Sequence, residues 1–193
     1  MRVRTLNAGF GDFSGGESVK VVVRIRPFSE LEKGRKDSSV VDTPDDRHIK
    51  LSHRATNKMF RYNKALDEAC KQDIVFEECG VHDLIQSALD GYAATIFAYG
   101  QTGSGKTFTM SGIEDKLGKE GWTSDANDGL IPRSVRYMWE QMTKRNTQFY
   151  VKASFMEIYN EQLRDILNPS TGILHCRWNP NSGFFVENLM VVE

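Results

Sequence analysis

Cysteine is scarce in this chain. The three present, Cys70, Cys79 and Cys176, form an odd set with no close pairing. They offer no disulfide framework, and a reducing, cytosolic compartment is the expected setting. Long apolar runs are missing as well. The longest lies near residues 93–99, far short of the roughly 20 residues that a membrane-spanning helix needs. The first 18 residues hold no apolar core of signal-peptide length. Neither sign of charge dominates: 25 Lys and Arg face 26 Asp and Glu, so charge alone gives no reason to expect a nucleic-acid partner. His48, His53, His82 and His175 show no metal-ligand spacing, and the neighbours His175 and Cys176 read as ordinary strand residues. There is no internal repeat and no low-complexity segment. What remains is a chain long enough for one domain with a sizeable core.

Residues 1–17 are rich in Gly and Ser, lack periodicity, and read as a flexible N-terminal tail. Residues 18–193 read as one domain. Val19, Val21, Val23 and Ile25 alternate with Lys20, Val22, Arg24 and Arg26, which predicts a strand stopped by Pro27. "ELEKGRKDSS" reads as a solvated loop. Short β-like pieces over about 40–66, broken at Pro44-Asp45-Asp46, suggest a small β lobe. Residues 73–92 read as a single helix with Asp73 as N-cap and Gly91 just past its end. "AATIFAY" reads as a short buried strand. "PRSVRYMWEQMTKRN", residues 132–146, regains helical spacing through Val135, Met138, Trp139 and Met142, with Pro132 in the first turn and Lys144 and Arg145 in the last. "FYVKASFMEIYN" reads as a strand and "EQLRDIL" as at most two turns of helix. "ILHCRW" and "FFVENLMVV" read as a hairpin joined through Asn179–Gly183. The order of strands and helices predicts an α/β fold with a mixed sheet.

Gly100-Gln101-Thr102-Gly103-Ser104-Gly105-Lys106-Thr107 fits G-x-x-x-x-G-K-[ST]. Each residue type has a reason. Polyphosphate carries several negative charges. Glycines let the backbone turn tightly enough for successive N–H groups to face it. The helix that follows adds its positive end. Lys106 brings an ammonium to the β- and γ-phosphates, and the Thr107 hydroxyl can ligate the Mg²⁺ that bridges them. A buried strand before the loop and a helix after it complete the context of a P-loop NTPase-type sheet flanked by helices. Guanine-binding loops use N-K-x-D downstream. "NKALD" at 63–67 is one residue too long and lies upstream, so adenine is the expected base. "LMVVE" at the C-terminus imitates an apolar strand ending in a Mg²⁺-coordinating acid, but reads better as a plain hairpin strand. Arg24 and Arg26 form either a solvated strand face or an edge of the nucleotide pocket.

Taken in order, "VKVVVRIRPFS", "FRYNKAL", "FEEC", "ALDGYAATIFAYGQTGSGKTFTM", "GLIPRSV" and "FMEIYNEQLRDIL" resemble the N-terminal half of the kinesin motor domain, over about residues 18–193. The C-terminal "RWNPNSGFFVENLMVVE" resembles one subfamily more distantly. The resemblance implies a microtubule-stimulated ATPase in the cytoplasm and cytoskeleton, with ATP and Mg²⁺ as ligands and no membrane insertion. It implies an adenine site bordered by Arg24, Arg26 and Pro27, with Phe76 and Phe108 near the base; both phenylalanines read equally well as core. It makes residues 111–129 a loop that interrupts the helix after the phosphate loop, with Trp122 inside it. Two kinesin switch motifs, N-x-x-S-S-R-S-H and D-L-A-G-S-E, do not occur in the sequence. The resemblance therefore implies a motor truncated before its switches, with the catalytic set reduced to Lys106 and Thr107. Tubulin contacts and any dimerising coiled coil would lie in parts missing from the chain. The alternative is a non-catalytic nucleotide-binding or interaction module.

Overall fold

A computed structural model describes residues 19–53, 56–113, 125–145 and 148–193. The chain divides into two units, one ending at Arg145 and the other beginning at Asn146. The predicted tail, residues 1–17, and Trp122 lie outside the described residues.

In the first unit, β1 (Val22–Arg24) runs parallel to β5 (Lys64–Leu66), with Val23 opposite Ala65. The strand is shorter than the alternation of residues 19–26 predicts; among the described residues its partner is three residues long. The "solvated loop" after it contains a helix instead, α1 (Glu30–Gly34). The reason is a capping box: the Ser29 side chain accepts the Glu32 N–H while the Glu32 carboxylate accepts the Ser29 N–H. Next, β2 (Val41–Asp42), β3 (His48–His53) and β4 (Thr56–Arg61) form a three-stranded antiparallel sheet. Asp45 starts its first turn by accepting the N–H groups of Arg47 and His48.

The helix expected over 73–92 is two helices, α2 (Gln72–Glu78) and α3 (Val81–Leu89). They are separated at Gly80, which takes a left-handed φ of 74°. The N-cap is Lys71 rather than Asp73, which sits in the first turn. Gly91 does follow the end: its N–H bonds to Ala88 O and that of Tyr92 to Ser87 O, a complete Schellman motif. Val75 and Val81 are each 1% exposed, and with Leu66, Phe76, Ile85 and Leu130 they form the core. Burying a side chain of this size contributes about 1.5–3 kcal/mol.

The short α4 (Lys106–Met110) and the long α5 (Leu130–Lys144) follow. The inward face of α5 carries Leu130, Tyr137, Met138 and Met142, while Val135 and Trp139 of the predicted stripe are exposed. Arg145 closes the pair of helices by donating to Leu89 O and Asp90 Oδ1 at the C-terminus of α3, where the helix dipole favours a cation. Residues 93–99 form no strand, and Phe97 and Tyr99 are 73% and 78% exposed. A buried strand needs ladders on its edges, and the described residues supply none here.

In the second unit, β6 (Met156–Tyr159) pairs with β7 (Gln162–Asp165), so the middle of "EQLRDIL" is strand where a helix was predicted. The turn decides this. Asn160 and Glu161 both take positive φ, 48° and 64°, as a two-residue type I′ hairpin loop requires. β7 also pairs with β8 (Ile173–Leu174). The predicted hairpin is present as β9 (Cys176–Asn179) and β10 (Gly183–Val186), closed by Trp178 edge-on to Phe184. "LMVVE" lies past this hairpin, where Val192 forms a bridge to Ala153. Residues 149–152 of the predicted strand "FYVKASFMEIYN" carry no ladder. Asp165, 2% exposed, accepts the N–H groups of Leu167, Asn168 and Met190. The bond from Met190 leads in drawing its pKa below the ordinary aspartate value.

Candidate nucleotide site

The phosphate loop is built by its glycines. Gly103 and Gly105 take left-handed φ values of 78° and 90°, and Gly105 is the N-cap of α4. At Gly100 a Cβ would stand 2.5 Å from Ser104 Oγ, so a side chain there would displace the serine hydroxyl. The space beside Gly103 is open, and Gln101, Thr102 and Thr107 are exposed. Lys106 folds back over the loop, its Nζ donating to Gly100 O and Gln101 O at 2.9 Å each. The ammonium is thus held by two neutral carbonyls at the loop. An anion with several charges would compete well for it. A glycine-shaped turn, an adjacent ammonium and a hydroxyl at Thr107 fit a Mg²⁺-polyphosphate.

Arg24 and Arg26 leave β1 for different surroundings. The Arg24 guanidinium donates to Gln72 Oε1 at 2.8 Å, Thr109 Oγ1 at 2.9 Å and Cys70 O at 3.1 Å. It also lies 5.5 Å from the centre of the Phe108 ring. Burial pulls its pKa below the ordinary value for arginine. Of the two sequence readings, a solvated strand face does not describe Arg24. Arg26 forms a two-pronged pair with Glu32 of α1, at 2.9 and 2.8 Å, and donates to Pro27 O. Its methylenes lie within 4.0 Å of where a Gly105 Cβ would be, beside the end of the loop. The Arg26 bond, then the Ser29 N–H, hold the Glu32 carboxyl down at about 2. Pro27 is exposed, and Phe108 is 40% exposed.

Phe76 takes the core alternative. It is 6% exposed, and its ring packs edge-on to His82 and Tyr137, with centroids at 4.7 and 6.2 Å. A ring enclosed in the core has no free face for a base. Two neighbours of the arginines escaped the sequence reading. Glu32 had a local signal in Ser29-x-x-Glu32. Gln72 had none, because its partners lie 36 to 55 residues away.

At the base of the interrupting segment the chain pinches. The Gly129 N–H bonds to Ser111 O at 3.3 Å, and a Cβ on Gly112 would run into the Asn127 carbonyl and Gly129 N. Asp128, 5% exposed, accepts the Asp125 N–H and one Arg136 donor, each at 3.0 Å. Among the described residues there is no cluster of metal-ligating side chains, and no helix is long and apolar enough to cross a membrane.

The solved structure of a fast kinesin, which bears on ATPase mechanism and interactions with microtubules, is similar over 91% of this chain and 48% of its own. The TM-score is 0.77 and the identity 31%. The fold is thus the α/β, P-loop NTPase type with a mixed arrangement of helices and strands. Residues 24–193 match the kinesin motor domain family, and the chain belongs to that family. Among curated relatives, Drosophila melanogaster Klp68D is 37% identical over 92% of this chain and 22% of its own length. Xenopus laevis KIF11-B is 36% identical over 82% of this chain and 15% of its own. Mouse KIF12 is 36% identical over 91% and 27%. The chain therefore spans about a quarter or less of the curated relatives it matches.

Proposed function

We propose that this chain is the ATP-binding part of a microtubule-dependent kinesin motor, working in the cytoplasm on the cytoskeleton. The observation that carries the proposal is the phosphate loop, where Lys106 waits on two carbonyls beside an open glycine turn. Gly100, Gln101, Thr102, Gly103, Ser104 and Gly105 would surround the phosphates with backbone N–H groups. Lys106 would neutralise their charge, and Thr107 would hold Mg²⁺ through its hydroxyl. Bound Mg²⁺ supplies charge neutralisation between the β- and γ-phosphates. Arg24, Arg26, Pro27 and Phe108 are the residues assigned to the adenine edge. Microtubules are the partner, met through parts of the motor that carry the switch motifs. Neither a nucleic acid nor a membrane is expected as partner, and a coiled coil would pair two copies of the longer protein.

A second reading is a module that binds nucleotide without turnover. Phosphoryl transfer needs groups that position water and sense the γ-phosphate, and losing such donors costs on the order of 10²–10⁵ in rate. Binding of Mg·ATP and Mg·GTP, then ATPase with and without microtubules, tests both readings on this chain and on one extended through the switches. ATP bound in preference to GTP, with stimulated turnover in the longer chain alone, is the expected result. Equal or tighter GTP binding overturns the base assignment, and motor-rate turnover by residues 1–193 overturns the division of labour.

A further inference from the structure

We infer that Gln72 is a positioning residue for the nucleobase edge, acting through Arg24 and the backbone of Phe108. This rests on the ATP-site reading above. Gln72 is 3% exposed, and its side chain joins three separate parts of the chain. Its Oε1 accepts from Arg24 of β1 at 2.8 Å. Its Nε2 donates to Phe108 O in α4 at 2.6 Å and to Asn127 O before α5 at 3.2 Å. The surroundings fix which way the amide faces. A guanidinium only donates and carbonyls only accept, so the reversed amide would set donor against donor and oxygen against oxygen.

Neither a carboxylate nor a methionine could make all three bonds. A carboxylate at position 72 would still accept from Arg24, but would face two carbonyl oxygens with no hydrogen to offer. A methionine would fill similar volume and satisfy neither side. In the observed arrangement Arg24 is held over the Phe108 ring from one end and the Phe108 backbone from the other. The two groups assigned to the base edge are thereby kept in register with one another, while Lys106 is held by bonds of its own to Gly100 O and Gln101 O. Gln72 therefore acts on the base and leaves the phosphates alone.

The test compares ATP with inorganic tripolyphosphate, both with Mg²⁺, as ligands of the 193-residue chain. Equilibrium binding is measured for wild type, Gln72→Met and Gln72→Glu, with a thermal melt of each. Loss of one well-made bond to a charged group corresponds to about tenfold in affinity. ATP is expected to bind about tenfold more weakly to both variants while tripolyphosphate binding stays within a factor of about two. A parallel fall for both ligands in the variant that melts as a folded protein would mean general loosening, and overturns the inference. Unchanged ATP binding in either folded variant overturns it as well. If wild type binds neither ligand, the ATP-site reading itself is lost; that outcome is distinct because it appears before any substitution.

Discussion

Replacing Arg24 with methionine keeps most of the aliphatic stem and removes the guanidinium. Three acceptors then lose a donor: Gln72 Oε1, Thr109 Oγ1 and Cys70 O. The Gln72 loss matters most, because that side chain is 3% exposed and water cannot readily take the donor's place. A buried acceptor left unsatisfied costs about 1–3 kcal/mol. Removing the cation from the Phe108 ring costs about 0.5–1 kcal/mol more. Relief of the guanidinium's own desolvation offsets part of this. The expected net loss is about 1–3 kcal/mol, a large fraction of the 5–15 kcal/mol typical of a folded domain. Urea unfolding followed by far-ultraviolet circular dichroism measures it, without nucleotide, so that only the brace is read. Arg26→Met is the comparison: its pair with Glu32 is half-open to solvent, with side chains 35% and 24% exposed, and its midpoint is expected to move less. An Arg24→Met loss below about 1 kcal/mol, or no larger than that of Arg26→Met, would refute the claim that Arg24 ties β1 to α2 and α4.

Lys106→Ala is expected to weaken tripolyphosphate and ATP alike, by tenfold or more, whereas Thr107→Asn should chiefly remove the dependence of ATP binding on Mg²⁺; titrations with and without the metal distinguish them. Glu32 should titrate near 2 by carboxyl-carbon NMR. Its folded value is depressed, so the Arg26–Glu32 contribution is full above about pH 4.5. It fades as pH falls toward 2, and an ordinary midpoint near 4.5 would contradict the pairing. Asp165→Asn should lower the hydrogen-exchange protection of the Met190 amide, and protection, taken relative to the intrinsic rate at each pH, should fall likewise in wild type as pH drops below the ordinary aspartate range; unchanged protection in the variant would show that the carboxylate does not anchor that segment.

The parts of the fold that could be read directly are those whose cause is local. The phosphate loop is written in eight consecutive residues, and the end of α3 in the position of Gly91. The capping box at Ser29 was equally local, and reading residues 30–39 by polarity alone hid it. "QLRDIL" misled for a specific reason: Leu163, Ile166 and Leu167 keep helical spacing, while the hairpin is dictated by the two residues before it. Residues 93–99 show the opposite case. Their composition suits a strand, but a strand exists only with its neighbours. Val135 and Trp139 share a helix face that periodicity marks as buried, yet the core lies against Leu130 and Met142. At the site, Lys106 was legible and Gln72 was not, because a lone glutamine acquires its role from residues 36 to 55 positions away.

The pinch at Gly112 and Gly129 has an evolutionary consequence. Chain that leaves α4 and returns to α5 through one narrow neck can change length without shifting either helix. Doubling the length of such an excursion costs only about 0.6 kcal/mol in closure entropy. A tag or a fluorescent protein could be inserted between the two glycines with little effect on the phosphate loop. The neck itself has no such tolerance. Gly112 has a φ of 89°, and a side chain there would meet backbone rather than a movable neighbour. Diversity among relatives should therefore gather inside the excursion, with its two end points held to the smallest residue.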